Sequence, residues 1–163
     1  MNQLAIQVGE ALQAHGMMMV TAESCTGGGV ASAVTEIAGS SAWFDRGFVT
    51  YSNQSKVDML GVSTDTLARF GAVSEATVRE MVAGALLHSQ AQIALAVSGI
   101  AGPGGGTSEK PVGTVWFAWG IKGDASVVRL QHLTGDRAEI REQVVRIALQ
   151  GVLELLHGRA QTV

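Results

Sequence analysis

Residues 92–98 read QIALAVS and are followed at 99–113 by GIAGPGGGTSEKPVG. A short, almost wholly apolar run closed by glycine predicts a strand buried on both faces, as at the middle of a helix-covered sheet. Upstream, Ser74 stands as N-cap to a helix on which Val78, Met81, Val82, Ala85 and Leu86 share a face. Downstream, 113–119 and 125–132 read as strands joined at KGD, 122–124, an antiparallel hairpin. Toward the N-terminus, Leu4, Val8, Ala11 and Leu12 keep helical spacing over 3–15, and Gly16 stands where that helix should stop. A buried strand is predicted at 17–22 (MMMVTA), then the turn ESCTGGG at 23–29 and a helix at 30–38. A strand at 46–52 and short helices near 53–60 and 64–70 complete the first half. Asp136, with Glu139 three residues on, has the capping-box pattern of a last helix. Helices before and between strands, closing on a hairpin, predict one α/β domain over 1–163, its mixed sheet covered on both faces.

The 163 residues suffice for a single buried core. Apolar residues make up 47% and charged residues only 15%, against roughly 25% charged in an average domain. That balance excludes a disordered chain. Eleven basic against fourteen acidic residues leave a net charge of −3, with no basic patch of the kind nucleic acid requires. A single cysteine excludes an internal disulfide and a cysteine-built zinc site. The first charge is Glu10, so no secretory n-region is legible. Apolar runs such as 93–97 fall far short of the roughly 18 residues a membrane span needs. The expectation is a soluble cytoplasmic protein with neither nucleic-acid nor membrane partners.

Chemistry concentrates in the glycine-rich segments. In strand–ESCTGGG–helix, glycines let the backbone approach a ligand, and N–H groups at a helix start favour a developing oxyanion. Ser24 is placed there to present its hydroxyl; the bland alternative is a turn in which Ser24 or Thr26 only caps the helix. Cys25 is a second possible nucleophile, although a lone cysteine is more often a buried structural residue. The histidines at 15, 88, 132 and 157 are scattered and form no ligand pair. The 99–113 loop lacks the Gly-Lys-Ser/Thr of a Walker loop, since Lys110 precedes Pro111, and no helix follows it as a dinucleotide fingerprint demands. Its place after a central strand is nevertheless where open α/β sheets bind ligands. In RGFVTYSNQSK, 46–56, stand the sole tyrosine, Tyr51, and one of only three lysines, Lys56. Lys56 is either a solvated lysine early in a helix or, if its pKa is depressed, a general base for a serine.

TAESCTGG at 21–28, GSSAWFDRGFVTYSNQSK at 39–56, GAVSE at 71–75, SGIAGPGGGTSEKPVGTVWFAW at 98–119 and GDR at 135–137 together resemble the CinA C-terminal domain family, in its stand-alone amidohydrolase form. The resemblance runs in order through nearly the whole chain. It implies a three-layer α/β/α domain with a mixed sheet, usually homodimeric. It also implies hydrolysis of the carboxamide of nicotinamide mononucleotide (NMN) to nicotinate mononucleotide and ammonia, in pyridine-nucleotide recycling, without cofactor or metal. By position, the family's serine nucleophile falls on Ser24, its tyrosine on Tyr51, its lysine on Lys56 and an arginine on Arg137. Its substrate-binding segments fall on Thr26, Gly27 and Gly28, and on Gly102, Gly104 and Gly105. Gly29 departs from the pattern, standing where many relatives carry a side chain. Arg137 is left open between binding the phosphate and supporting the site electrostatically. Two other readings remain: an amidase for a different small amide, and a nucleotide-binding, competence- or damage-related module without catalysis. The last helix is apolar on two faces, with Ile140, Val144, Ile147 and Leu155 on one and Val145, Leu149, Val152 and Leu156 on the other. Such breadth means either core burial or a face shared in a homodimer.

Overall fold

The structure, a computed structural model, describes residues 1–161; residues 162 and 163 of the expected domain lie outside the described residues. In chain order the elements are α1 (Asn2–Ala14), β1 (Met19–Glu23), α2 (Gly29–Thr35), a 3-10 turn (Ser40–Ala42), β2 (Phe44–Val49), α3 (Asn53–Leu60), α4 (Thr64–Phe70), α5 (Glu75–Leu87), β3 (Ile93–Gly99), β4 (Thr114–Ile121), β5 (Val127–His132) and α6 (Arg137–Gln161). The five strands lie in the order β2-β1-β3-β4-β5. The first three are parallel, and β4 and β5 add antiparallel. The expected α/β fold with a central 92–98 strand and a late hairpin is the observed one.

The two faces of β3 explain the layering. Ile93, Leu95 and Val97 point into a core built with α1, α2 and α6, whereas Ala94 and Ala96 meet Val78, Met81, Val82 and Ala85 of α5. Alanines on one face let α5 lie close to the sheet, and α5 in turn crosses the end of α3, where a Cβ on Gly84 would collide with the Leu60 carbonyl. On the other face Trp119 stacks on Phe117 and donates its indole N–H to Ala148 O of α6 at 2.8 Å. The ring sits against Gly151, where no side chain would fit. Of the two apolar faces of α6, Ile140, Val144, Val145, Leu149, Val152 and Leu156 are buried, while Ile147 and Leu155 are half-buried against the same core. Core packing accounts for most of the breadth of that helix.

Several boundaries differ from expectation for local reasons. The helix expected over 30–38 ends at Thr35, and Gly39 (φ +82°) starts the 3-10 turn that aims the chain into β2. β2 itself ends at Val49 rather than 52, because Ser52 leaves the strand to cap α3 in a reciprocal Ser52–Ser55 box. β1 begins at Met19, since Met18 N–H turns to the Gln92 side chain. The β4–β5 turn runs past 124 and delays β5 to Val127. The Asp136–Glu139 capping box forms as expected, each backbone N–H held by the other's carboxylate at 2.7 and 2.9 Å. At Gly29 a Cβ would lie 3.1 Å from Val145, so the departure from the family pattern relieves a tight α2–α6 contact.

Candidate active site

From β1 the chain passes through α2 to β2 on one side, then returns through α5, on the opposite face, to β3. The loops leaving the neighbouring carboxyl ends of β1 and β3 therefore diverge, and the crevice between them is where such sheets place ligands. The ESCTGGG turn leaves β1 and the long glycine loop leaves β3. A cavity of about 290 Å³ opens there, lined by Ser24, Cys25, Tyr51, Lys56, Ser98, Arg137 and loop residues including Gly102, Gly104 and Gly105. A larger, mostly apolar cavity of about 650 Å³ lies between the β4–β5 hairpin and the end of α6, but its lining holds no nucleophile beside a base.

Ser24 follows β1 directly, and its N–H donates to Val97 O at 3.1 Å, tying the turn to β3. The capping box at the start of α3 orients that helix so that Lys56 points inward, its side chain fully buried. Lys56 Nζ donates to Thr50 O at 2.6 Å and lies 3.0 Å from Ser24 Oγ. Burial lowers the Lys56 pKa from 10.5 to about 8, the neighbouring Cys25 opposing the shift. A buried amine with no carboxylate partner is the physical setting that turns a lysine into a base. Among the described residues no histidine serves Ser24. Burial likewise pushes the Cys25 thiol up to about 11, with Glu23 adding to the shift; a thiol held protonated at neutral pH is a poor nucleophile.

Tyr51, 61% exposed, stands at the mouth of the cavity. Its hydroxyl accepts from Arg137 Nη2 at 3.0 Å, and Arg137 Nη1 donates to Gly102 O at 2.8 Å. Arg137 thus bridges the tyrosine and the glycine loop. Gly102 and Gly105 hold φ of +79° and +87°, a left-handed conformation that favours glycine. Thr26, Gly27 and Gly28 are not in the cavity lining; they shape the turn behind Ser24, with Gly27 and Gly28 at φ +58° and +100°.

Two residues with no role in the sequence reading organise that turn. Glu23 is fully buried, and its carboxylate accepts from Thr26 Oγ1 at 2.6 Å, Val30 N at 2.8 Å and Ala31 N at 3.0 Å. It caps α2, the task the sequence reading offered to Ser24 or Thr26, and so leaves Ser24 free. Arg141, one helical turn beyond Arg137, donates Nε to Cys25 O and Nη2 to Thr26 O, both at 3.1 Å. The four-residue spacing of the two arginines was the available signal, since it puts them on one face of α6. Among the described residues no group of three His, Cys, Asp or Glu could hold a metal ion, and no helix is long and apolar enough to cross a membrane.

These features define a class: a three-layer α/β/α protein with a buried serine–lysine pair at the switch point of its sheet. The CinA C-terminal domain matches residues 1–156, and the chain belongs to that family. It is 56% identical to the nicotinamide-nucleotide amidohydrolase PncC of Escherichia coli K12, over 91% of this chain and 90% of that protein. The crystal structure of a competence/damage inducible protein from Agrobacterium tumefaciens is 50% identical, with a TM-score of 0.91 over 94% of both chains. That of a CinA superfamily protein from Klebsiella pneumoniae is 43% identical, with a TM-score of 0.93 over 96% of this chain and 98% of the other.

Proposed function

We propose that this chain hydrolyses the carboxamide of NMN to nicotinate mononucleotide and ammonia, as a cytoplasmic, homodimeric enzyme of pyridine-nucleotide recycling. The observation that carries the reading is the buried Lys56 amine, 3.0 Å from Ser24 Oγ and with its pKa brought down to about 8. The likeness to a protein named for this activity supplies the substrate.

In the proposed reaction neutral Lys56 takes the Ser24 proton as Oγ bonds to the carboxamide carbon and the carbonyl electron pair moves onto oxygen. Backbone N–H groups of the 24–28 turn hold that oxyanion. Collapse breaks the C–N bond, and the Lys56 ammonium returns its proton to the leaving nitrogen, with Tyr51 as relay. Ammonia departs and an acyl group stays on Ser24. Water then adds with Lys56 again as base, the C–Oγ bond breaks, Lys56 returns the proton to Ser24 Oγ, and nicotinate mononucleotide leaves. The pyridinium of NMN already withdraws electrons from the carboxamide, so the reaction needs no metal. Arg137 holds Tyr51 and the glycine loop in place, and Gly102, Gly104 and Gly105 form the wall that receives the nucleotide.

The test is purified protein with NMN, following ammonia and nicotinate mononucleotide with and without a chelator. We expect turnover without added metal and no loss to chelation. The family's competence-related names favour one rival, a binding module. Tight NMN binding with no ammonia would favour that rival, and faster release of ammonia from another amide would favour a different amidase.

A further inference from the structure

We propose that Arg141 is a positioning residue that fixes the oxyanion-binding face of the Ser24 turn. The inference rests on Ser24 being the nucleophile of the proposed amidase.

Gly27 N–H donates to Ser24 O at 3.0 Å and closes a four-residue turn whose central peptide joins Cys25 to Thr26. The two commonest turns differ mainly by a half-rotation of that central peptide, which exchanges the sides faced by its carbonyl and its N–H. Thr26, at the third position of the turn, disfavours the flipped form, which would demand a positive φ of a β-branched residue; no described residue other than glycine has one. Arg141 braces the form that remains. Its Nε takes the carbonyl of the central peptide, and its Nη2 takes that of the next, each at 3.1 Å. Within a trans peptide the N–H lies opposite the carbonyl, so the Thr26 N–H is turned away from α6. Among the described residues neither the Cys25 nor the Thr26 N–H meets an acceptor on another residue. Ser24 and Cys25 line the cavity, and Thr26 stands directly behind them in the turn. Donors that no other residue takes, next to a nucleophile, are what an oxyanion site requires, and their value depends on being aimed before the reaction begins.

The planar fork of a guanidinium spans two adjacent carbonyls; an ammonium reaches one at a time. Glu23 holds the far end of the same segment through Thr26 and α2. The turn is thus held at both ends, with Thr26 setting the sense of its middle peptide and Arg141 bracing its two carbonyls.

The experiment compares wild type with Arg141→Ala and Arg141→Lys by three readouts. These are NMN kinetics, affinity for the product nicotinate mononucleotide, and affinity for phenylboronic acid, whose serine adduct mimics the tetrahedral oxyanion. We expect kcat of Arg141→Ala to fall about 10- to 100-fold, with boronate affinity falling alongside. KM, product affinity and the acid limb of the pH profile should stay within about twofold. Arg141→Lys should recover part of the loss, and it carries the test if the alanine variant does not fold. Unchanged kcat and boronate affinity would overturn the inference. So would a loss confined to KM and product affinity, or a wild type that takes up no boronate. If wild type releases no ammonia from NMN, the amidase reading fails, while the boronate comparison still decides the role of Arg141.

Discussion

In the proposed reaction the value of Lys56 lies in being uncharged, and its substitutions separate charge from basicity. Ser24→Ala and Lys56→Ala should each cut turnover by at least about 10⁴-fold, and the double variant should be little worse, since residues acting as a unit are non-additive. Lys56→Arg keeps the charge but has no accessible neutral form, so it should be equally inactive. Cys25→Ala should stay substantially active; an inactive Cys25→Ala beside an active Ser24→Ala would reverse the assignment. With the neutral amine as base of the proposed reaction, kcat/KM should fall tenfold per unit of pH below about 8. The kcat limb should lie lower, since the bound pyridinium further disfavours a second cation. Stability carries the same signature. With a folded pKa of about 8 against 10.5 unfolded, the fold binds the proton less readily than the unfolded chain. Stability is therefore fully present above 10.5, falls as pH drops toward about 8, and stays level below that. Urea unfolding of wild type against Lys56→Met should show wild type gaining up to about 3 kcal/mol between these limits. Equal differences at both ends would mean that Lys56 is not held neutral.

At the scale of elements, close approach substitutes for bulk. Gly84→Ala puts a methyl group into the Leu60 carbonyl at the crossing of α5 and the end of α3. We expect about 1–3 kcal/mol of lost stability, read by chemical denaturation, with the remaining folded protein still active. The pattern that makes such crossings possible was partly visible in the sequence. An apolar run at 92–98 gives a central strand because periodicity and length report burial. The split of β3 into large residues on one face and alanines on the other assigns each helix to its layer only once topology is known. The Ser24 turn and the glycine loop were legible from composition, and Lys56 only from family resemblance, because burial of a lysine follows from the helix cap that aims it and not from the residue itself. Glu23 and Arg141 escaped because their partners are backbone groups. A side chain that bonds to a carbonyl or an N–H leaves no matching residue elsewhere in the sequence to betray it.

At the scale of the whole molecule, dimerisation remains a proposal, and α6 no longer argues for it. What supports it is the low charge content together with exposed Val127 and Leu130 on the edge strand β5. Sedimentation at micromolar concentration should give twice the chain mass; a monomer there would refute the dimer. Another consequence follows from the order in which the parts occur along the chain. Ser24 and Lys56 precede β3, but the arginines that hold both loops, and the helix that covers the α1–α2 side of the sheet, follow β5. Synthesis delivers residues N-terminus first. A nascent chain will therefore carry Ser24 and Lys56 before the arginines that brace their surroundings, and the α1–α2 side of its sheet will lack its last cover until α6 leaves the ribosome. Hydrolysis by the proposed pair should therefore wait for α6, and a message cut short before residue 137 should yield a product that is both silent and prone to aggregate.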